Sequence, residues 1–350
     1  MKFSKKTFIA YVLGIFLILP FLGFSNSSLA AEAIDVSIFG SPLPENMYPT
    51  GEQPSQAKID LGKQLYYEKR LSKNADISCN SCHLLDNYGV DNKTTSPGHK
   101  AQLGVRNSPS VYNAAAHIAQ FWDGRAQNVE EQALGPILNP IEMAMPSEET
   151  VLAVLNSMPE YVAAFDRAFP DQDEPVKYEN IGAAIGAFEE GLVTPAPFDR
   201  YLAGNSSALT SQQKEGLKIF SESGCTACHN GTYIGGSMYQ KAGLVSAWPT
   251  QKDQGRFEVT GQESDRMVFK VPSLRNVAMT APYFHDGAVN NLEQAIQWMG
   301  KYQLGRDLSD TQVQAIVAFL DSLTGDLPAA AIEEPILPPS SDRTPKPDPN

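Results

Sequence analysis

All four cysteines and two of the five histidines of this 350-residue chain fall into two copies of one pattern. The copies are Cys79-Asn80-Ser81-Cys82-His83 and Cys225-Thr226-Ala227-Cys228-His229. Two thiols about one helical turn apart can add across the two vinyl groups of a single haem. The adjacent His then lies under the iron and supplies the proximal imidazole. Four Cys in an exported chain would ordinarily read as two disulfides, but this spacing argues otherwise. A redox-active C-x-x-C would not need a His after each copy. A zinc site of the C4 or C2H2 kind is possible in principle, yet two C-x-x-C-H copies that use every Cys leave little room for it. The chemistry predicted is covalent attachment of two c-type haems, through Cys79, Cys82 and His83 and through Cys225, Cys228 and His229.

The elements around the motifs must position them. The copies lie far apart, so each is expected in its own domain. Ile59-Asp60-Leu61-Gly62-Lys63-Gln64-Leu65-Tyr66 precedes the first, and Gln213-Lys214-Glu215-Gly216-Leu217-Lys218-Ile219-Phe220 precedes the second. Both place apolar residues at helical spacing just upstream of the haem Cys, a weak internal repeat. After the second copy, Ser309 to Leu323 reads as an amphipathic helix with Val313, Ile316, Val317, Leu320 and Leu323 on one face, capped by Ser309 or Asp310. Ser147 to Ala168 and Tyr178 to Glu190 read as helices of the first half. Pro195-Ala196-Pro197 reads as the linker. The fold class predicted is mainly α, with two cytochrome c-like haem domains and long loops. The N-terminal haem domain is expected over 31–194 and the C-terminal one over 198–325. A Pro-rich tail over 326–350 lacks periodic apolar positions and reads as extended or disordered.

Composition adds bounds. The chain carries a formal net charge of −13 and is 42% apolar. An acidic protein is a poor partner for nucleic acid or an anionic membrane. Residues 1–30 read as an export signal: Lys2, Lys5 and Lys6, an apolar stretch from Thr7 to Phe24, then Ser28-Leu29-Ala30 as the cleavage site. Left uncut, the same stretch would serve as a membrane anchor. Either way the rest of the chain is expected outside the cytoplasm.

The function turns on the sixth position of each iron. A filled position makes an electron carrier, and an open one makes a catalyst. Beyond the two proximal residues, His99, His117 and His285 remain, and Met238, Met267, Met279 and Met299 are the Met candidates of the second half. Spacing does not choose among them.

Several further segments carry a resemblance. They are Gly98-His99-Lys100, Arg106-Asn107-Ser108-Pro109-Ser110, Phe121-Trp122-Asp123-Gly124-Arg125, Asn139-Pro140-Ile141-Glu142-Met143, Val271-Pro272-Ser273-Leu274-Arg275-Asn276-Val277, Ala281-Pro282-Tyr283-Phe284-His285-Asp286-Gly287 and Trp298-Met299-Gly300. From Asp35 to about Gly325 the chain resembles the bacterial dihaem cytochrome c peroxidases, with no departure at a functional position.

The resemblance implies a periplasmic enzyme that reduces hydrogen peroxide to water with electrons from a small cytochrome c or blue-copper protein. It implies that the first haem is peroxidatic and that His99 is its removable distal ligand. The second haem becomes the high-potential entry point, held by His229 and Met299. Trp122 falls between the haems. Glu142 matches the distal acid–base carboxylate, with Gln132 close to the same pocket. Asn107, Thr280 and Pro282 match the oxygen donors of a calcium site, and a homodimer is implied. Chemistry agrees on Glu142: cleaving a peroxide needs a group that takes a proton from one oxygen and returns it to the other, and a carboxylate in a partly buried setting can do both. By itself Glu142 would read as an ordinary loop Glu, and Trp122 as packing. His117 and His285 read as structural or as neighbours of haem propionates. Two rivals stay open. One is a dihaem electron carrier with Met143, Met145 or His117 on the first iron. The other is a related enzyme that oxidises a partner protein's side chains, against which Met299 speaks because that group uses Tyr.

Overall fold

The computed structural model describes residues 1–2, 34–49 and 51–350, so the expected export signal lies outside the described residues. Asp35–Asn350 forms one compact unit. Its helices are α1 (Gln56–Tyr67), α2 (Cys79–Cys82), α3 (Val129–Leu138), α4 (Glu148–Asn156), α5 (Pro159–Ala168), α6 (Tyr178–Glu189), α7 (Pro197–Leu202), α8 (Ser211–Glu222), α9 (Phe257–Thr260), α10 (Leu292–Trp298), α11 (Asp310–Asp321) and α12 (Ala329–Ile332). The strands β1 (Tyr239–Lys241) and β2 (Val268–Lys270) pair antiparallel, with Gln240 opposite Phe269. Among the described residues no helix is long and apolar enough to cross a membrane.

The weak repeat seen in the sequence has a packing cause. In the first half α1 crosses α6 at Gly62, where a Cβ would come within 1.9 Å of the Ala184 carbonyl oxygen. In the second half α8 crosses α11 at Gly216, where a Cβ would lie 1.8 Å from the Ala315 carbonyl oxygen. Glycine is required at both because two backbones meet there. One turn on from each, an aromatic residue locks the crossing. Tyr66 meets Phe188 at 5.5 Å between ring centroids, and Phe220 meets Phe319 at 5.2 Å. The caps are also local chemistry. Thr210 with Gln213 starts α8 and Ser309 with Gln312 starts α11, each a reciprocal side-chain pair that satisfies otherwise orphan amides.

The structure corrects one expectation and adds detail to two others. The helix read over Ser147–Ala168 is two helices, α4 and α5, because Pro159 opens the second and disfavours helical backbone at Met158 before it. The segment Pro195-Ala196-Pro197, read as the linker, is packed. Ala196 is fully buried and Pro197 begins α7. Just before it, buried Thr194 bonds Asn113 of the first half at 2.7 Å and Asn276 of the second at 2.9 Å. The tail is extended but ordered along the first half, with no sign of the disorder its composition allowed. Tyr67 donates to the Ile332 carbonyl at 3.0 Å, Arg70 to the Pro338 carbonyl at 2.8 Å, and the Asp348 amide to the Lys73 carbonyl at 2.9 Å.

The division into 31–194 and 198–325 does not extend to the ends of the chain. Phe39, fully buried, packs on Phe198 at 5.2 Å, and the Gly231 amide donates to Ile38 at 2.9 Å. The N-terminal strap therefore lies on the second half, while the tail lies on the first. Each end is held by long-range contacts that leave no local pattern.

Candidate active site

Both C-x-x-C-H segments adopt a tight turn that returns the His amide onto the first Cys. His83 N donates to the Cys79 carbonyl at 3.0 Å, and His229 N to the Cys225 carbonyl at 3.0 Å. In the first segment Ser78 and Ser81 cap the turn. In the second, Gly224 opens it at φ 95°, a left-handed conformation that favours glycine. In the second motif Cys225, Cys228 and His229 line one cavity, as one haem requires.

The proximal imidazoles differ in their fixing. His83 Nδ1 lies 2.9 Å from the Pro109 carbonyl. Donation to that carbonyl leaves Nε2 as the lone-pair face toward a metal. Burial lowers the pKa of His83, with the Pro109 carbonyl opposing. His229 Nδ1 is buried with no partner within hydrogen-bond distance, and burial brings its pKa down to about 4, with the backbone at Ile234 and Pro272 opposing. Both rings are therefore neutral and able to ligate.

His99 and Glu142 arrive on two loops pressed together. The His99 amide donates to the Glu142 carbonyl at 2.8 Å, and a Cβ at Gly98 would sit 1.9 Å from the Ile141 carbonyl oxygen. The His99 ring is 6% exposed and its Nε2 is buried with no partner. After it, Lys100 and Ala101 both hold φ 57°. Left-handed backbone at consecutive non-glycine residues costs of order 1–3 kcal/mol each and marks a segment held by its surroundings. Glu142 is half-buried, and burial raises its pKa above the usual carboxylate value, with Arg125 and Asn139 opposing. Gln132 is half-buried on α3, the helix whose end leads through Asn139 into the Glu142 segment.

Trp122 lies between the halves. Its Nε1 donates to the Asn107 carbonyl at 2.9 Å, and its own carbonyl accepts from the Lys270 amide on β2 at 2.8 Å. Arg106, next to Asn107, forms a two-pronged pair with Asp253 of the second half, at 2.6 and 2.8 Å. Asn107, Thr280 and Pro282 lie along the wall of one cavity of about 280 Å³. The Asn107 amide nitrogen donates to the Lys93 carbonyl at 2.9 Å, which leaves its side-chain oxygen as the acceptor a hard cation would use.

Cys225, Cys228, His229 and Met299 line that same cavity. Met299 starts a π-helical turn, Met299–Leu304, that continues α10. Such turns are frequent at functional sites. The other Met candidates, Met238, Met267 and Met279, do not line that cavity, although Met267 packs in the same aromatic cluster as Met299. His285 is buried, stacked on Phe269 at 4.1 Å. The residues present thus fit a haem at each motif: an anchored or buried imidazole, paired thiols, and an unpartnered His99 nitrogen or a Met sulfur for the far side.

Comparison with known proteins decides the family. Residues 56–207 match the family model for di-haem cytochrome c peroxidase, and 213–324 match the model for cytochrome c. The chain belongs to the di-haem cytochrome c peroxidase family. Membership carries the enzyme class, cytochrome c peroxidase, and two c-type haems. Among relatives, the cytochrome c551 peroxidase of Pseudomonas aeruginosa is 48% identical over 335 residues, covering 93% of this chain and 96% of that protein. The cytochrome c551 peroxidase of Nitrosomonas europaea is 50% identical over 292 residues, covering 83% and 86%. A crystal structure of a MauG-like protein associated with microbial copper homeostasis superposes with TM-score 0.75 at 29% identity, covering 84% of this chain and 97% of that one.

Two functional features escaped the sequence reading. The Arg106–Asp253 pair is invisible because its partners are distant in sequence. Lys270 could have been noticed, as the one charge in the run Met267-Val268-Phe269-Lys270-Val271.

Proposed function

We propose that this protein reduces hydrogen peroxide to water in the periplasm, with peroxide acting at the first haem and electrons entering at the second. Haem iron, when bound, supplies the peroxide-binding centre and the redox equivalents. His83 and His99 are assigned to the first iron, and His229 and Met299 to the second. The observation that carries the reading is the His99–Glu142 contact. A buried, unpartnered imidazole nitrogen and a raised-pKa carboxylate sit on two loops joined by one backbone hydrogen bond.

The roles follow. His99 caps the first site at rest, and the left-handed backbone after it makes the capped loop one of two arrangements. When His99 swings out, Glu142 takes a proton from the oxygen nearer the first site and returns it to the departing one. Gln132 supports that pocket. Trp122 bridges the halves through Asn107 and β2. Asn107, Thr280 and Pro282 supply neutral oxygens to a calcium ion, a set that suits modest affinity. A small cytochrome c or blue-copper protein delivers electrons, and the assembly is a homodimer. The N-terminal 30 residues direct export.

Peroxide consumption with a chemically reduced cytochrome c tests this. Turnover is expected from enzyme given one electron and calcium beforehand, and little from fully oxidised enzyme. Absence of turnover in both states, with two six-coordinate haems intact, would assign the chain to electron transfer or protein modification instead.

A further inference from the structure

We propose that Lys270 and His117 form a built seat for a carboxylate of the haem attached at Cys225 and Cys228. The seat rests on the presence of that haem, and the residues define it by charge and geometry. Lys270 ends β2 and lines the cavity shared with Cys225, Cys228, His229 and Met299. Among the described residues, its ammonium meets His117 Nδ1 at 3.2 Å, and no carboxylate pairs with it. A half-buried cation without a counter-charge is costly, so such a group calls for an anion. A buried cation of the same wall shows the contrast. Arg275 is matched by Asp199 at 2.6 Å.

His117 completes the seat. Lys270 carries three donors and no acceptor, so the contact requires that Nδ1 accept and that Nε2 carry the proton. That Nε2–H is buried with no partner. Burial and the Lys270 charge both lower the imidazole's pKa well below its usual value, which keeps the ring neutral in this tautomer. The ring is held in place. Its face abuts Gly236, where a Cβ would lie 2.3 Å from His117 Cδ2, and its edge meets Tyr233 at 5.9 Å. Gly236 has φ +74° and belongs to the loop that follows His229. The same loop thus carries the proximal ligand and fixes the second donor. Two adjacent donors, one of them cationic, match the two oxygens of a carboxylate. Haem carries such groups on the edge away from its vinyl attachments.

The pair also sets the haem's redox behaviour. A positive charge beside a haem carboxylate favours the reduced iron, which is one charge less positive. Removing it should favour the oxidised form. The β2 amide of Lys270 bonds the Trp122 carbonyl at 2.8 Å, so the seat is continuous with the bridge between the halves.

The test is a redox titration of the full holoenzyme, each haem read by its own absorption bands. In Lys270→Met the second haem's Fe(III)/Fe(II) equilibrium should shift at least tenfold toward Fe(III), 59 mV for a one-electron couple. The first haem should be unmoved. Lys270→Arg should restore the wild-type value, and His117→Phe should shift it in the same direction by less. If the Met variant does not accumulate, Lys270→Gln keeps the size without the charge and is judged identically. Loss of only the second haem in the uncharged variants, with retention in Lys270→Arg, carries the same meaning. Two haems per chain with an unshifted second haem overturn the proposal, as does a shift confined to the first haem. A wild-type potential that moves with added acetate, and ceases to in Lys270→Met, gives the seat to a free carboxylate and overturns the haem assignment. A wild-type chain lacking haem at Cys225 and Cys228 removes the underlying reading instead.

Discussion

The two halves of this protein are built on one scaffold and differ in how they support the residue proposed to face the iron. Each has a glycine at a helix crossing, Gly62 or Gly216, an aromatic lock one turn later, and a Cys-to-His turn closed by the same amide bond. Met299, proposed for the second iron, is on a helical turn packed among Trp248, Trp298 and Tyr302. His99, proposed for the first, is on a loop with two left-handed non-glycine residues. A ligand on a helix within an aromatic box stays. A ligand on a strained loop has another state within reach. On the proposed assignment, a carrier and a catalyst share a fold because one side chain's support is changed.

The comparison can be broken at several points. Glu142→Gln should lower peroxide turnover by about 10²–10⁴, the usual weight of a general acid–base group, with both haems retained. The pH profile gives the sign. Burial raises the Glu142 pKa, and the base must be ionised, so wild-type activity falls as pH drops through that raised value. The variant should lose this acid limb. Met299→Leu should lower the second haem's potential and leave the first alone, seen by redox titration. Gly62→Ala and Gly216→Ala should each cost about 1–3 kcal/mol by overpacking, read by denaturant unfolding, with the haem band of the altered half failing first. The smallest effect belongs to the tail. Ser341 donates to the Ser157 carbonyl at 2.6 Å, and Ser341→Ala should cost the first half about 0.5–1.5 kcal/mol.

The sequence reading reached what is written locally. The haem motifs, α6, α8 and α11 follow from spacing, caps and apolar period. Pro159 was a readable stop within the first-half helix. The candidate residues His99, Glu142 and Met299 came through resemblance, since nothing in their spacing selects them. Long-range pairing stayed hidden. Phe39 on Phe198, Arg106 on Asp253 and the tail along Tyr67 and Arg70 join residues with no shared pattern. The Lys270–His117 contact is of the same kind, and only the fold half-buries a strand-end lysine against a histidine.

The most direct test is the coordination state of the first iron, followed by electron paramagnetic resonance and absorption as one electron is added to the second haem. The account predicts six-coordinate iron in the oxidised wild type and an open position after that electron. It predicts an open position from the start in His99→Ala. A first iron that stays six-coordinate in both proteins and both redox states would contradict the assignment of His99 as the movable cap.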